Sequence, residues 1–173
     1  MDIKEHIASI EGFPKEGIIF RDVTPVLQDP ECLHYVTKEL AAFAEKQGAE
    51  IVLGPEARGF MFGVPVALEA NLPFAPVRKP GKLPRAVFTQ TYDLEYGQDT
   101  LCIHTDAIKP GQKVIIVDDL LATGGTVGAM IKMVEKMQGI VVGCAFVIEL
   151  DDLHGRDRLG NVEICALTHY KGE

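Results

Sequence analysis

The chain has 173 residues, of which 47% are hydrophobic and 24% are charged, as in an ordinary globular protein. Its 17 basic and 25 acidic residues give a formal net charge of -8. That balance argues against the broad basic surface that non-specific nucleic-acid binding requires. The charged N-terminal stretch lacks an apolar signal core, and the chain lacks a run of about 18 apolar residues, so we expect a cytoplasmic protein without a membrane segment.

The cysteines indicate a reducing environment. Cys32, Cys102, Cys144 and Cys165 lie far apart and match neither a CxxC pair nor a Cys/His ligand spacing. We therefore expect reduced packing thiols and no structural zinc. The length favours a single domain over residues 1–173.

The first half of the chain alternates predicted helices and strands. A short helix is expected over 2–10, followed by a loop at the Gly and Pro residues of 12–17. Apolar residues at steps of three and four predict an amphipathic helix over 30–47, with Gly48 ending it. The later elements are a strand at 50–54, a buried helix from Arg58 that Pro65 bends, and a strand at 72–78.

The second half continues the alternation after a polar excursion. Charged, turn-forming and aromatic residues at 79–100 predict a hairpin outside the main sheet. The run KVIIVDD predicts a central strand ending at Asp118, and a helix over 126–138 follows. A strand at 140–150, a short helical stretch at 152–159 and an edge strand at 162–170 complete an α/β fold with a parallel central sheet flanked by helices.

The stretch VIIVDDLLATGGT, residues 114–126, carries the clearest chemical signal. Backbone amides at the Thr-Gly-Gly-Thr turn and the positive end of the next helix face one point, which suits a phosphate group. Asp118 and Asp119 would repel phosphate, but they can accept hydrogen bonds from neighbouring hydroxyls. The pattern therefore predicts a sugar-phosphate site, and neither a Walker A nor a dinucleotide motif is present. The alternative is an ordinary strand end and helix start.

This stretch resembles the phosphoribosyl-diphosphate signature of the type I phosphoribosyltransferases. Four further segments resemble the adenine-specific members of that family in order along the chain: GIIFRDVTPVL, EARGF, VRKPGKLP and YDLEYG. The resemblance implies a Rossmann-like sheet with a small flap or hood excursion. It also implies that the ribose and its 5-phosphate bind at Asp118, Asp119, Ala122, Thr123, Gly124, Gly125 and Thr126.

Two segments are predicted to hold the diphosphate. Arg78, Lys79, Lys82 and Arg85 form a cluster of positive charge with no acid between them, and a solvated basic loop is the alternative interpretation. EARGF follows a strand as the phosphate loop does. In the resembled family this loop has a non-proline cis peptide at the position of Glu56 and Ala57. The diphosphate residues implied are Glu56, Ala57, Arg58, Gly59, Arg78, Lys79 and Lys82.

The resemblance also assigns the base and the proton transfer. Glu95 matches a glutamate on the flap that transfers the proton of the purine. Tyr96 matches a flap residue that helps to cover the site. Backbone groups of Ile19 and Arg21 are expected at the adenine edge, with the ring between Phe20 and Leu150. Taken alone, Glu95 would be a surface acid, and Phe20 and Leu150 would be core residues.

The implied reaction moves the 5-phosphoribosyl group from its 1-diphosphate to adenine and forms AMP and diphosphate. Mg²⁺ is implied, bound mainly through the diphosphate and water without a dedicated protein cage. A homodimer is implied, in which the basic residues of 78–85 approach the partner's site. We expect neither a nucleic-acid nor a membrane partner.

Three other functions remain open from the sequence. The first is the same transfer to a 6-oxopurine or to orotate. The second is a regulator that senses the sugar diphosphate and binds nucleic acid, which the acidic balance opposes. The third is a sugar-phosphate binding module without catalysis. A base-preference assay and the variant Glu95→Gln distinguish them.

Overall fold

The computed structural model describes residues 1–94 and 96–172. Glu95 and Glu173 lie outside the described residues. A 3₁₀ turn, Ile3–His6, precedes the first strand. The strands are β1 Ala8–Glu11, β2 Ile19–Asp22, β3 Ile51–Pro55, β4 Phe74–Val77, β5 Val87–Asp93, β6 Gln98–His104, β7 Lys113–Leu121, β8 Ile140–Leu150 and β9 Ile164–Tyr170. The α-helices are α1 Thr24–Gln28, α2 Pro30–Lys46, α3 Arg58–Ala70 and α4 Gly125–Lys136, and two 3₁₀ turns, Asp151–Leu153 and Gly155–Arg158, follow β8.

A five-stranded parallel sheet forms the centre of the fold. Its order is β4-β3-β7-β8-β9, so β9 is an edge strand as predicted. Helices α1, α2 and α3 cover one face, where Val52, Ile115 and Val117 are buried. Helix α4 and the β5-β6 hairpin cover the other, where Leu53 and Ile116 are buried. The predicted parallel α/β sheet is confirmed. The predicted hairpin also forms outside this sheet, but its strands are Val87–Asp93 and Gln98–His104, so it begins and ends later than the predicted range of 79–100.

The N-terminal prediction is wrong. Residues 2–10 form only a short 3₁₀ turn, and then β1 pairs with β2 in antiparallel register from Ala8 opposite Asp22 to Glu11 opposite Ile19. Propensity favoured a helix here, but the partner strand lies about ten residues downstream and supplies the ladder hydrogen bonds. The loop between the strands occupies the Gly and Pro residues, as expected.

The central strand is longer than its sequence predicts. We expected β7 to end at Asp118, whereas it continues to Leu121 because β8 is long enough to pair with it as far as Glu149. Helix α4 begins at Gly125 and ends at Lys136, slightly before the predicted range. The helical stretch predicted at 152–159 is two separate 3₁₀ turns divided by His154, whose φ is +53°.

Within the described part of the chain, no helix combines the length and apolar character that a bilayer crossing would need.

Candidate active site

The strand order of the central sheet reverses between β3 and β7. From β3 it moves outward to β4, and from β7 it moves through β8 to β9 on the other side. In open α/β sheets, ligands bind beyond the carboxyl ends of the strands at such a switch point. The loop after β3 carries Glu56 to Gly59, and the loop after β7 carries the Thr-Gly-Gly-Thr turn. The topology therefore brings two of the predicted site segments to one edge.

The two loops contact one another directly. Arg58 Nε donates a hydrogen bond to Asp119 Oδ2 at 2.5 Å. A Cβ atom added at Gly59 would lie 3.2 Å from Asp118 Oδ1, so this glycine permits the close approach. The peptide bond between Glu56 and Ala57 is cis, as the resemblance implied.

A cavity of about 200 Å³ opens at this edge. Its lining consists of Arg58 and a continuous run from Asp118 to Val127, which includes every residue predicted to hold the ribose and its phosphate. Gly124 has φ +83°, and its carbonyl accepts the hydrogen bond of the Gly128 amide in the first turn of α4. The amides that begin α4 are thus grouped at the cavity, as an anion site requires.

The two aspartates differ in their surroundings. Asp119 is buried and pairs with Arg58, and its negative charge raises the pKa of that guanidinium. Burial raises the pKa of the Asp118 carboxyl well above its ordinary value, and the adjacent Asp119 carboxylate adds to the rise. The Asp118 carboxyl therefore holds its proton more strongly than an exposed aspartate would.

The basic cluster is not free of acids, and this corrects the sequence interpretation. Glu56 accepts hydrogen bonds from Arg78 Nε at 3.1 Å and from the Lys79 amide at 2.8 Å. The bond from the Lys79 amide is the main reason that the pKa of Glu56 lies below its ordinary value.

Two more cations of this cluster also pair with distant acids. Lys79 pairs with Asp99, whose pKa falls because the ammonium group donates a hydrogen bond to it, and Arg85 pairs with Asp106. Within the part of the chain that the structure describes, Lys82 makes no ion pair. These ion pairs could not be predicted from the sequence, because each acid lies about twenty residues from its cation.

The predicted adenine residues divide between two environments. Ile19 and Leu150 line one cavity of about 250 Å³ with Gly17, Ile18, Leu153 and Gly172. Phe20 packs against Phe13 with ring centroids 5.2 Å apart, and the Arg58 guanidinium lies 5.9 Å from the Phe20 ring. The Arg21 guanidinium stacks at 4.0 Å over Tyr170. The Phe20 side chain therefore lies near Arg58 of the loop after β3, while Ile19 and Leu150 line the other cavity.

The β5-β6 hairpin reaches the loop after β7 through Tyr92, the first residue of YDLEYG, for which the sequence predicted no role. The Tyr92 hydroxyl lies 3.3 Å from Thr126 Oγ1 and donates to Asp99 at 3.3 Å. The Leu94 amide closes the hairpin turn on the Gly97 carbonyl, and the Tyr96 side chain is 87% exposed. The predicted catalytic residue, Glu95, lies outside the described residues, so the hairpin is positioned beside the site but the glutamate's own contacts are not described.

A cluster of titratable groups ends β8 and β9 and had no signal in the sequence. Buried Glu149 receives two hydrogen bonds from Arg156 Nε and one from Nη2, the shortest at 2.6 Å. His169 Nδ1 lies 2.8 Å from Asp151 Oδ1. Glu149, Asp151 and His169 are close enough to share an ion. The Arg156 guanidinium already neutralises Glu149, so the cluster is accounted for as an ion-pair network that fixes the turn after β8.

Comparison with known proteins agrees with this geometry. The sequence profile of the phosphoribosyl transferase domain matches residues 31–165. The crystal structure of an adenine phosphoribosyltransferase from Thermoanaerobacter pseudethanolicus has 48% sequence identity, covers 98% of each chain and superimposes with a TM-score of 0.94. The enzyme from Rhodothermus marinus has 45% identity over 97% of this chain and 96% of its own, with a TM-score of 0.91.

A eukaryotic relative is nearly as similar in structure. The adenine phosphoribosyltransferase of Saccharomyces cerevisiae, solved with an imino-altritol bisphosphate and adenine, has 38% identity over 96% of each chain and a TM-score of 0.91. Two loops that meet at one edge of the sheet, a cavity lined by the Thr-Gly-Gly-Thr turn and near full-length similarity thus coincide in one chain. On this evidence the chain belongs to the phosphoribosyltransferase family, within its adenine phosphoribosyltransferase branch.

Proposed function

We propose that this protein transfers the 5-phosphoribosyl group of 5-phospho-α-D-ribose 1-diphosphate to N9 of adenine, forming AMP and diphosphate in purine salvage. The observation that carries the proposal is the phosphate cradle from Asp118 to Val127 at the same sheet edge as the Ile19 and Leu150 cavity. The Saccharomyces cerevisiae relative binds adenine with a bisphosphate, and a Giardia lamblia relative of 32% identity binds 9-deazaadenine.

The cradle residues divide the sugar phosphate between them. The amides from Ala122 to Thr126 and the hydroxyls of Thr123 and Thr126 donate hydrogen bonds to the 5-phosphate. Asp118 and Asp119 accept hydrogen bonds from the ribose hydroxyls. These amides and hydroxyls carry no formal positive charge, so an ammonium or guanidinium group is needed to neutralise the charge of the 5-phosphate.

When diphosphate binds, it replaces carboxylates as the anionic partner of two arginine side chains. Arg58 is held by Asp119 and Arg78 by Glu56, at 2.5 and 3.1 Å. A diphosphate with several charges competes with single carboxylates for these guanidinium groups, with Gly59 supplying an amide and Lys79 and Lys82 ammonium groups. Glu56 and Ala57 shape the loop. The site is therefore assembled with its cations already oriented toward the carboxylates that the substrate replaces.

The chemistry needs no protein nucleophile. The bond between the anomeric carbon and the diphosphate oxygen breaks as adenine N9 attacks that carbon, through a centre with oxocarbenium character. Aligning the base with the sugar and stabilising the leaving diphosphate supply the rate enhancement. The proton lost by the purine passes to Glu95, and Tyr96 covers the site when the hairpin closes.

The adenine edge is read by backbone groups of Ile19 and Arg21. A carbonyl oxygen accepts a hydrogen bond from the 6-amino group of adenine but repels the 6-oxo group of hypoxanthine or guanine. The ring lies between the apolar faces of Phe20 and Leu150.

Mg²⁺ is the proposed cofactor, and the chemistry of the donor set fits it. Mg²⁺ prefers oxygen ligands and retains water, and the Asp118 and Asp119 carboxylates beside the cavity would accept hydrogen bonds from that water. When bound, the ion neutralises charge on the departing diphosphate. We also place the activity in the cytoplasm, since all four cysteines are free thiols.

The test of this function is a base panel. With Mg²⁺ and phosphoribosyl diphosphate, we expect diphosphate release and nucleotide formation with adenine and background rates with hypoxanthine, guanine, xanthine and orotate. Chelation of Mg²⁺ should abolish the adenine signal. Turnover with a 6-oxopurine would contradict the base assignment but retain the sugar-phosphate site. Tight sugar-diphosphate binding without turnover of any base would indicate a sensor.

A homodimer is the proposed assembly, with the exposed basic loop at 78–85 approaching the partner's site. One apolar face of α3 supports it, because Met61, Val64 and Leu68 recur at steps of three and four while being 42%, 40% and 78% exposed. Exposed apolar stripes of this kind mark contact surfaces.

The variant Leu68→Glu should shift the mass measured by light scattering from dimer toward monomer, because association would bury an unpaired carboxylate. Ile140→Glu is the control, since Ile140 is 51% exposed but lies at the start of β8, away from α3. A Leu68→Glu protein that remains as dimeric as the control would remove α3 from the interface.

A further inference from the structure

We propose that Arg158 is a ligand of the substrate's 5-phosphate, which deepens the proposed function and rests on it. Arg158 lies on the second 3₁₀ turn after β8, more than thirty residues from the Thr-Gly-Gly-Thr turn in sequence. None of the segments that resemble the family includes it.

The position of Arg158 is the first observation. A cavity of about 670 Å³ adjoins the phosphate cradle and shares Thr123, Gly125 and Thr126 with it. Arg158 lines this cavity, with Tyr92, Asp93 and Leu94 of the hairpin opposite. Its Nη1 atom lies 3.7 Å from the point where a Cβ on Gly125 would stand, directly beside the amides that begin α4.

The charge balance of the cradle is the second observation. The cradle itself provides amides and hydroxyls, flanked by two aspartates. Of the described residues that line the two cavities, Arg58 and Arg158 are the cations. Arg58 is held by Asp119 and belongs to the loop after β3, which is the proposed diphosphate loop. Arg158 has neither an ion pair nor a side-chain hydrogen bond to any described residue. Asp93, the acid on the same cavity, accepts its hydrogen bond from Gln98.

The turn that carries Arg158 is fixed on both sides, which is the third observation. Arg156 is clamped to buried Glu149, and Leu159 is buried in the core beneath α4. The carbonyl oxygen of Gly155 packs so closely on Gly124 that a Cβ there would lie 2.5 Å away. The backbone at Arg158 is therefore held against the phosphate loop, while its exposed guanidinium keeps the freedom to close on a bound anion.

These observations assign Arg158 a role that the loop cannot fill. A phosphate monoester carries close to two negative charges, and a guanidinium can donate two parallel hydrogen bonds to its oxygens. The proposed diphosphate ligand Arg58 lines the cradle but not the second cavity, which Arg158 lines. Arg158 should therefore affect ligands with a 5-phosphate and spare inorganic diphosphate.

The experiment measures dissociation constants of two probes, ribose 5-phosphate and inorganic diphosphate with Mg²⁺, by calorimetry. We expect Arg158→Gln to weaken ribose 5-phosphate binding about tenfold or more and to leave diphosphate binding within about twofold. Arg158→Lys should recover part of the affinity, because it restores the charge without the planar fork. Lys136→Gln is the matched control, since it removes one positive charge from the far end of α4 and should change neither constant.

The outcomes separate the two proposals. If the wild-type protein binds ribose 5-phosphate and Arg158→Gln binds it as Lys136→Gln does, the Arg158 assignment is overturned and the proposed function stands. An equal loss for both probes would also overturn it, since that pattern reports general damage to the site. If the wild-type protein neither binds ribose 5-phosphate nor uses adenine, both proposals fail together.

Discussion

The variant Glu95→Gln is expected to form AMP at least about 100-fold more slowly than the wild-type protein, with KM values for both substrates within about threefold. Glutamine has the size and polarity of glutamate but cannot take the purine proton. The hairpin is held at the loop after β7 by Tyr92 and Thr126, whose oxygen atoms lie 3.3 Å apart, and Glu95→Gln changes neither residue. Steady-state rates of diphosphate release, measured against each substrate, check this.

The matched control is Glu45→Gln, the same change at an exposed position on α2. It should leave kcat and both KM values unchanged. If Glu95→Gln retained wild-type kcat, proton transfer would have to be reassigned to another group or to water. Loss of affinity without loss of kcat would make Glu95 a binding residue.

The variant Gly124→Ala should abolish most phosphate binding and lower the free energy of unfolding. Gly124 has φ +83°, and an added Cβ would lie 2.5 Å from the Gly155 carbonyl oxygen. The left-handed conformation costs an L-residue about 1 to 2 kcal/mol, and overpacking against fixed backbone adds about 1 to 3 kcal/mol. To relieve the contact, the loop and the turn after β8 must separate, which displaces the amides at α4. Urea unfolding and ribose 5-phosphate titration measure the two effects.

Gly111→Ala separates the two contributions. Gly111 has φ +79° but has no atom within 4 Å of an added Cβ, and it precedes β7 at the opposite edge of the sheet from the site. This variant should carry the conformational cost alone and bind ribose 5-phosphate normally. Equal losses of stability in the two variants would mean that the Gly155 contact relaxes freely, and unchanged phosphate binding in Gly124→Ala would remove the loop from the cradle.

Local sequence was sufficient for the elements whose signals are periodic or continuous. The apolar spacing of residues 30–47 predicted α2, and the run from Val114 to Val117 predicted a strand covered on both faces. It also placed the phosphate turn after that strand, because acids, glycines and hydroxyls in this order have a chemical meaning independent of their surroundings. The resemblance supplied the reaction and the base, which composition and spacing alone left open.

Partners distant in sequence decided the rest. β1 exists because β2 pairs with it, and β7 extends past its two aspartates because β8 continues beside it. Strand pairing depends on a ladder that a single segment does not contain.

The ion pairs of the site also depend on partners that are distant in sequence. Arg58 meets Asp119 across sixty-one positions, and Arg78 meets Glu56 across twenty-two, so a cluster that looked purely basic is paired. Tyr92 reaches the loop after β7 from the hairpin, where the sequence predicted no role for it, and Arg158 lies beside that loop on a turn that carries no motif. The sequence by itself predicted which groups form a sugar-phosphate site, since the pattern of donors and acceptors is local. The tertiary structure decided which charges remain available to a ligand, since neutralisation depends on distance in space.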